Sequence, residues 1–377
     1  MNEAISYERY DRQIILKEFG EAAQRKLLNA KILVVGAGGL GCPLLLYLAA
    51  AGVGTIGVVD FDTIVLSNLQ RQVLYSVSDI GQFKATTATR RLKELNPELN
   101  IIAFDLPLNS QNALPLIAAF DIVVDATDNF PARYLINDAC VLLNKPLVYG
   151  AIDRYEGQVA VFNYVKHPGD ISANYRDLFP DPVRNDEVLN CEQGGVLGVL
   201  PGIVGTMMAN ETMKIITGIG EPLANQLLTY NILSNQTYQA EFFPRAETSS
   251  FIPQTRQAFA ATNYEWMCSS QSVSLEIDIK TFDDLLNSRA IAVIDVREPN
   301  EKPDVGEFSC ERIPLSQLAT ASLPVEGNTI VFICQTGTRS LEAARRFSES
   351  SINRPANVYS LKGGIVAWKR NREKQLA

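Results

Sequence analysis

Histidine and paired cysteines are scarce in this 377-residue chain. The only histidine is His167, and the six cysteines include no C-x-x-C pair. One histidine argues against a His-based metal centre and against a Ser-His-Asp triad. Scattered cysteines argue against a disulfide framework.

A surplus of basic charge and a long apolar run are also missing. The chain has 34 Lys and Arg against 42 Asp and Glu, a net charge of −8. The chain therefore has no surplus of positive charge that could neutralise a nucleic-acid backbone. The longest apolar runs, such as Pro43–Gly52, are too short to cross a bilayer, and residues 1–30 show no signal pattern. We predict a cytoplasmic protein that binds neither nucleic acid nor membrane.

Glycine, by contrast, is concentrated in Lys31–Asp62, which has the pattern strand, turn, helix, strand. Ile32–Val35 is a continuous apolar run, typical of a strand buried on both faces. The turn contains Gly36, Gly38, Gly39 and Gly41. Such a turn lets backbone amides approach a phosphate at a helix N-terminus. Asp60 ends the next strand, Ile56–Val59, where an acid can bind a ribose hydroxyl. The stretch predicts a nucleotide site.

Further apolar runs extend this pattern. Strands are predicted at Asn100–Asp105, Asp121–Ala126 and Pro146–Gly150, and Gln158–Tyr164 alternates as an antiparallel extension would. We therefore expect an α/β fold, a Rossmann-like, mostly parallel sheet with an antiparallel extension. Ligands of such sheets lie beyond the carboxyl ends of the strands.

Two charged residues stand near those strand ends. Lys84 lies in the first turn of a predicted helix, Gly81–Leu95, where it opposes the helix dipole. It either binds a ligand anion or is simply exposed. Asp128 follows the strand Asp121–Ala126 and is placed to hold Mg²⁺ on a triphosphate. It could also cap the helix Phe130–Leu143, and the two roles can coexist.

A glycine-rich run, Cys191–Gly205, follows a polar loop at His167–Leu189 and precedes an apolar helix at Thr206–Thr217. Close helix packing or the passage of an extended ligand would each explain the glycines. On its own, Cys191 is better explained as an inert small residue than as a nucleophile.

The periodicity is lost at residues 246–272, which predicts a linker between a domain at 1–245 and a small α/β domain at 273–377. In the second domain, Cys334 follows the strand Thr329–Ile333. The amides of the next residues can converge on its sulfur, with Arg339 adding charge, and Gly337 permits the curl. This environment favours a thiolate or a persulfide over a merely structural cysteine. Cysteine phosphatases use a similar loop that is one residue longer.

These motifs resemble two known families. Residues 1–245 resemble the ThiF/MoeB/HesA adenylyltransferases, relatives of ubiquitin-activating enzymes. Residues 273–377 resemble a rhodanese domain. The matching segments are RYDRQ (9–13), GAGGLG (36–41), DFD and SNLQRQ (60–72), Lys84, Asp128-Asn129, CEQGGVLGVLPGIVG (191–205), DVRE (295–298), CQTGTR (334–339) and LKGGIVAW (361–368). The order resembles the fused activating and sulfur-transfer enzymes of the molybdopterin and tRNA-thiolation pathways.

The resemblance implies that ATP lies on the glycine turn with Asp60 on its ribose. It implies phosphate contacts from Asn68, Arg71 and Lys84, and Mg²⁺ on Asp128. Arg12 would reach the ATP of a partner subunit, which implies a homodimer. The nucleotide-binding segments also include Asp62, Ser67, Leu69, Gln70 and Asn129.

The implied reaction is adenylation of the C-terminal glycine of a small ubiquitin-like sulfur carrier that ends in Gly-Gly. A persulfide on Cys334, loaded by an upstream persulfide donor, would then supply sulfur, and Cys191 could hold an acyl-disulfide. A molybdopterin-synthase small subunit is the first choice of carrier and a thiamine-thiazole-pathway carrier the second. An NAD-dependent oxidoreductase fits the glycine turn and Asp60, but not Arg71, Lys84 and Asp128. A non-catalytic scaffold is a third alternative.

The chain departs from the family at its zinc site. Relatives usually carry two C-x-x-C pairs, but this chain has Asn174-Tyr-Arg-Asp177 at the first and no cysteine in Arg245–Ser250. One carboxylate and an amide cannot replace four thiolates. We predict no zinc and a less firmly held loop at 165–190. The rhodanese half also departs, at Glu307–Cys310, where relatives usually have a His-Ile-Pro-Gly type turn.

Overall fold

The computed structural model describes residues 7–166, 172–180, 195–264, 275–288, 291–303, 305–318, 329–349 and 357–376. The chain divides into two compact units, Met1–Ser269 and Ser270–Ala377. Both are α/β, as the sequence predicts. In the described ranges, no helix is long and apolar enough to cross a membrane.

The first unit is built on an eight-stranded sheet. Its strand order is β3-β2-β1-β4-β5-β6-β7-β8. The first five strands in that order are parallel, and the last three add as an antiparallel extension. The strands are β1 Lys31–Val35, β2 Thr55–Val59, β3 Asn100–Phe104, β4 Ile122–Asp125, β5 Leu147–Asp153, β6 Glu156–Phe162, β7 Gln226–Asn231 and β8 Gln236–Glu241. The predicted mostly parallel sheet with an antiparallel extension is confirmed.

Helices cover both faces of this sheet. They are α1 Tyr7–Ile14, α2 Gly20–Asn29, α3 Gly41–Ala51, α4 Lys84–Leu95, α5 Ala113–Ala118, α6 Phe130–Leu143, α7 Tyr175–Leu178, α8 Val199–Thr217 and α9 Arg256–Ala261. Successive β1 side chains enter opposite cores: Ile32 and Val34 pack in one cluster, Leu33 and Val35 in the other. This alternation explains why the β1 sequence is apolar throughout.

The helix that follows the glycine-rich run starts earlier than predicted. It begins at Val199 rather than Thr206, because Pro201 is tolerated in a first helical turn. The glycines permit close approach: a Cβ on Gly198 would lie 2.3 Å from the Gln70 carbonyl oxygen, and one on Gly205 2.3 Å from that of Leu40. Of the two explanations offered for the glycines, close packing is therefore observed for Gly198 and Gly205.

The stretch predicted as a linker is partly built into the first unit. Residues 248–251 form a 3-10 helix, and α9 follows. Ile252 and Phe259 are buried, and the Tyr264 hydroxyl lies 3.0 Å from a carboxylate oxygen of Asp138. The prediction of a linker from residue 246 is therefore wrong up to residue 264, because these few apolar side chains find burial sites on α6 and its neighbours. Residues 265–274 lie outside the described ranges.

The second unit is a smaller, wholly parallel sheet. Its order is β11-β10-β12-β13-β9. The strands are β9 Glu276–Ile277, β10 Ile291–Asp295, β11 Glu311–Arg312, β12 Thr329–Ile333 and β13 Asn357–Leu361, and the helices are α10 Ile279–Ser288, α11 Thr338–Glu349 and α12 Gly364–Leu376. Apolar cores again lie on both faces. The strand β12 delivers Cys334 to the carboxyl edge of this sheet.

Candidate active sites

The predicted nucleotide turn lies where three parallel strands end together. The Gly36 amide donates to the Val59 carbonyl at 2.8 Å, and the Ala126 amide to the Val35 carbonyl at 2.9 Å. Gly36 has φ +96°, and a Cβ there would lie 2.6 Å from the Ala126 carbonyl oxygen. Only glycine fits this crossing of the strand ends. The turn, Asp60 and the segment leading to Asp128 therefore leave the sheet at the same edge.

Asp60 fixes the shape of the turn. One of its carboxylate oxygens accepts the Ala37 amide at 2.8 Å, and the other accepts the Asp62 amide at 2.9 Å. Burial raises the pKa of Asp60, and the nearby Lys84 opposes that rise. Each oxygen keeps a further lone pair, so the carboxylate can still accept a hydrogen bond from a ligand hydroxyl.

Lys84 is the first residue of α4, and its helix start has no side-chain cap. Its ammonium lies 2.7 Å from a carboxylate oxygen of Asp62, and its side chain is 8% exposed against 52% for Asp62. Asp62 thus offsets the opposition between this cation and the helix dipole. Because Asp62 is the exposed partner, an arriving anion can compete for the ammonium. A structural ion pair and an anion-binding role are both compatible with this geometry.

Tyr75 links the turn to α4 and was missed by the sequence analysis. Its buried hydroxyl lies 2.8 Å from the Ala37 carbonyl oxygen and 3.2 Å from that of Lys84. No short motif marks this residue, because its two partners are 38 and 9 residues away in sequence.

The predicted phosphate-binding segment packs over the same turn. Asn68 is buried at the end of a short 3-10 helix, and its carbonyl accepts the amides of Arg71 and Gln72. Arg71 donates to the Ser67 carbonyl at 3.2 Å. A Cβ on Gly39 would lie 3.4 Å from Arg71 Cγ, so this arginine stands beside the glycine turn. Of the other residues predicted here, Leu69 is half-buried, and Ser67 and Gln70 are exposed.

The sequence left two roles open for Asp128, a cap for α6 and a ligand for Mg²⁺, and in the structure the cap is provided by Asn129. Asn129 caps α6, because its side-chain oxygen accepts the Ala132 amide at 2.9 Å. Asp128 is exposed and makes no hydrogen bond or ion pair to another described residue. A carboxylate oxygen free to face solvent is the ligand type that Mg²⁺ takes together with substrate phosphates. The donor at Asp128 fits that metal.

Two further residues of the predicted site, Arg12 and Cys191, have no contact with this turn among the bonds that the structure describes. The Arg12 side chain is 91% exposed, and its contact with Asp11 is only 4.0 Å. Cys191 lies outside the described residues, so its predicted role stays a prediction.

The second candidate site is the loop after β12. Cys334 is buried, and its sulfur accepts the Gly337 amide at 3.2 Å and the Ser340 hydroxyl at 3.3 Å. Gly337 has φ +98°, a backbone conformation that glycine adopts without strain and that the curl of the loop requires. The Ile365 amide donates to the Cys334 carbonyl at 2.8 Å. A Cβ on Gly364 would lie 2.5 Å from that oxygen. The start of α12 therefore closes over the loop.

Arg339 is engaged differently from the prediction. Its guanidinium forms a two-point ion pair with Glu301, at 2.6 and 2.5 Å. The arginine holds the pKa of Glu301 at about 2. Glu301 is thus the main partner of Arg339, which also interacts electrostatically with Cys334. This carboxylate is 38 residues away in sequence, and no local motif indicates the pairing.

The residues at the expected zinc site form a different structure. The Asp177 carboxylate accepts the Asn174 amide at 2.8 Å, the Asn174 side-chain nitrogen at 2.7 Å and the Arg245 amide at 2.9 Å. The Thr248 hydroxyl donates to the same carboxylate. We call Asn174, Asp177, Arg245 and Thr248 the clasp. Within the described ranges, no group of three or more His, Cys, Asp or Glu could hold a metal ion. This donor set does not fit zinc, which prefers thiolate and imidazole.

The clasp lies beside a second buried polar cluster. Arg176 donates to both oxygens of Asp138, at 2.8 and 2.7 Å, and both residues are fully buried. The Tyr175 amide donates to the Asn137 side chain at 2.8 Å. Residues 172–180 are therefore bonded to α6, and a loop at 165–190 that is less firmly held than a zinc-bound one stays a prediction.

Two family models match the chain. Residues 10–250 match the ThiF family and residues 278–371 the rhodanese-like domain. The chain is 41% identical to a probable adenylyltransferase/sulfurtransferase MoeZ of Mycobacterium tuberculosis, over 96% of this chain and 92% of the relative. It is 38% identical to the adenylyltransferase and sulfurtransferase UBA4 of Meyerozyma guilliermondii, over 96% and 88%. It is 52% identical to a sulfur carrier protein adenylyltransferase of Thermus thermophilus, over 60% and 83%.

Solved structures match part of the chain, and their coverage is comparable in length to the first unit. Crystal structures of E. coli MccB with ATP and with MccA superpose with TM-scores of 0.53 and 0.54. They are 22% and 25% identical, and the match covers 62% and 63% of this chain and 74% and 72% of theirs. At this identity the likeness supports the fold of the unit.

Proposed function

The chain belongs to the ThiF family and carries a rhodanese-like domain, and on this premise we propose its reaction. The first unit uses ATP to adenylate the C-terminal glycine of a small ubiquitin-like sulfur carrier that ends in Gly-Gly. A persulfide on Cys334 in the second unit displaces AMP from the carrier acyl-adenylate and gives an acyl-disulfide. A thiol then cleaves the sulfur–sulfur bond of this intermediate, so that the thiol is oxidised to a disulfide and the carrier leaves as a thiocarboxylate. An adenylyltransferase/sulfurtransferase activity is common to the names of the near-full-length relatives.

The observation that supports this reaction is the convergence at one sheet edge of the glycine turn, Asp60 and Asp128, with Lys84 linked to the turn through Tyr75. A carboxylate is a weak nucleophile, so attack on the α-phosphate needs positioning and stabilisation of the departing pyrophosphate. Lys84, Arg71 and Asn68 would contact phosphates, and Asp60 would bind the ribose. Asp128 would hold Mg²⁺, which neutralises phosphate charge when bound.

The experiment is a reconstitution with purified protein, ATP, Mg²⁺, thiosulfate, a thiol reductant such as dithiothreitol and a candidate carrier. Mass spectrometry should find the carrier carboxyl oxygen replaced by sulfur only when ATP is present. A carrier truncated by its last glycine is the control. An unmodified carrier in the complete mixture, with every candidate tested, would contradict the proposal.

The carrier remains a choice between classes. We propose a molybdopterin-synthase small subunit type first, with a thiamine-thiazole-pathway carrier as the alternative. Testing the two in parallel in the reconstitution identifies the substrate. The cytoplasmic location and the upstream persulfide donor stay predictions.

We also propose a homodimer in which Arg12 completes the partner's site. Arg12 is solvent-exposed in this chain, and the segment between Asp62 and Lys84 contains six exposed apolar side chains. These are Val65, Leu66, Val73, Val77, Ile80 and Phe83. Such a concentration of exposed apolar residues within one segment supports an interface, and a second copy brings Arg12 with it.

Mixed dimers test this arrangement. Arg12→Ala and Asp128→Lys should each abolish adenylation alone. If Arg12 acts across the dimer, mixing and reassembling the two variants creates one site with both native residues, and activity returns. If Arg12 acts within its own chain, neither site is complete and the mixture stays inactive. Reassembly is checked by sedimentation.

We further propose that the chain folds without zinc and that the clasp replaces the metal. Cys191, as the predicted acyl-disulfide residue, is tested by Cys191→Ala in the reconstitution. Loss of thiocarboxylate with adenylation retained would support its role.

A further inference from the structure

A chain of two buried hydroxyls leads to the reactive sulfur. The Ser340 hydroxyl lies 3.3 Å from the Cys334 sulfur, and the Ser360 hydroxyl donates to Ser340 at 2.9 Å. Ser340 lies in the first turn of α11 and Ser360 on β13. Both serines are fully buried, so water does not compete for these bonds. We call Ser360–Ser340–Cys334 the hydroxyl relay.

The single proton of Ser340 has two acceptors. Ser340 Oγ lies 3.3 Å from the sulfur and 3.0 Å from the Gly337 carbonyl oxygen. Because Ser360 occupies a lone pair of Ser340 as donor, the Ser340 proton must point to one of those two acceptors. A charged sulfur attracts it more strongly than a carbonyl, since hydrogen bonds to ionised acceptors are about twice as strong as neutral ones.

We propose that Ser340, polarised by Ser360, is a positioning residue that stabilises the Cys334 thiolate. In sulfur loading from thiosulfate, the Cys334 sulfur forms a bond to the sulfane sulfur. The S–S bond of thiosulfate breaks, and its electron pair leaves with sulfite. Ser340 stabilises the attacking thiolate before this step, and the same thiolate when sulfur is later passed on. The inference rests on the sulfur transfer proposed above.

The charged groups described around the loop are paired or exposed, so stabilisation of the thiolate falls to Ser340 and the Gly337 amide. Arg339 is paired with Glu301, and at the end of β10 Asp295 is paired with Arg297 and Arg312. On the β13 side, Lys362 is exposed. These charges are either paired or screened by water, so the Gly337 amide and Ser340 are the nearest stabilising donors among the described residues.

The test is the pH profile of Cys334 alkylation by iodoacetamide in the full chain, quantified on the Cys334 peptide by mass spectrometry. Ser340→Ala should move the profile to higher pH, with alkylation near pH 7 falling about tenfold. Ser360→Ala should move it in the same direction by less. Ser316→Ala, which removes an exposed hydroxyl of the same unit, should not move it.

An unshifted profile in folded Ser340→Ala would overturn the relay. If that variant fails to fold, an unshifted profile in Ser360→Ala overturns it. Ser340→Thr, which keeps the hydroxyl, should restore the wild-type profile at least in part if the relay is correct. Failure of the proposed function looks different, because wild-type protein would then lack thiosulfate sulfurtransferase activity whatever its alkylation profile.

Discussion

The two candidate sites handle anions by different means. The first unit surrounds its turn with charged side chains, and the most buried of them, Lys84, is paired only with an exposed carboxylate. The second unit surrounds a sulfur with an amide and a hydroxyl and pairs its arginine with Glu301. Phosphoryl transfer needs charge neutralised on a leaving group. A thiolate that is stabilised too strongly loses nucleophilicity, which explains why dipoles rather than a free cation face the sulfur.

Reversing the charge at Asp128 should break the first site alone. Asp128→Lys places a cation where Mg²⁺ is expected, so carrier-dependent adenylation should fall by about 100-fold or more. Because Asp128 is exposed, stability should change by less than about 0.5 kcal/mol. Sulfurtransferase activity of the same protein serves as the control. A parallel loss of both activities would contradict the separation of the two sites.

Removing the sulfur nucleophile should break the second site alone. Cys334→Ala should abolish thiocarboxylate formation from thiosulfate, because no other group described in that loop can carry the sulfane sulfur. Adenylation, read as pyrophosphate release, should persist. Cys310→Ala, in the same unit, is the matched control and should retain both activities. Thiocarboxylate formed by the Cys334→Ala variant would refute Cys334 as the donor.

The clasp shares no residue with either candidate site, so a change there should affect stability more than chemistry. Asp177→Asn removes the carboxylate that several donors share, so the free energy of unfolding should fall by about 1–3 kcal/mol. Asp153→Asn, at an exposed position, is the control for the substitution itself. Denaturant unfolding measures both.

Introducing cysteines at the four clasp positions tests the metal-free structure of this region. The variant with cysteine at positions 174, 177, 245 and 248 has two C-x-x-C spacings and should bind one zinc per chain, whereas wild-type protein should purify without zinc. Elemental analysis distinguishes them. Stoichiometric zinc in the wild-type protein would refute the metal-free clasp.

The smallest effect is expected at Glu301. Its pKa is about 2 in the folded chain against an ordinary 4.5, so its contribution to stability is present above pH 4.5 and lost as the pH falls toward 2. Glu301→Gln should flatten the pH dependence of unfolding in that window, by less than about 1 kcal/mol because the pair is partly exposed. Glu342→Gln, in a surface pair with Arg346, is the control.

Local patterns in the sequence predicted much of both sites. The glycine turn and the Cys334 loop are each carried by a few adjacent residues, and their strand–loop–helix settings are confirmed. Continuous apolar runs also predicted a mostly parallel sheet, and an alternating run predicted its antiparallel extension. These features depend on neighbours in sequence, so a single chain displays them.

Long-range partners could not be predicted. The clasp joins Asp177 to Thr248, 71 residues away, and Glu301 meets Arg339 from 38 residues away. Polar residues of these types are common in loops, so the sequence shows no periodic pattern that would reveal their pairing. The early start of α8 at Val199 and the burial of Phe259 were missed for the same reason, since tertiary packing outweighs glycine content and weak periodicity there.

The most direct test of the central claim is ATP–pyrophosphate exchange by the purified protein, with candidate Gly-Gly carriers added one at a time. We expect exchange with one carrier only, and the same exchange with Cys334→Ala, since adenylation precedes sulfur transfer. Exchange that needs no carrier, or none with any Gly-Gly carrier, would contradict the assignment of the first unit as a carrier-activating adenylyltransferase.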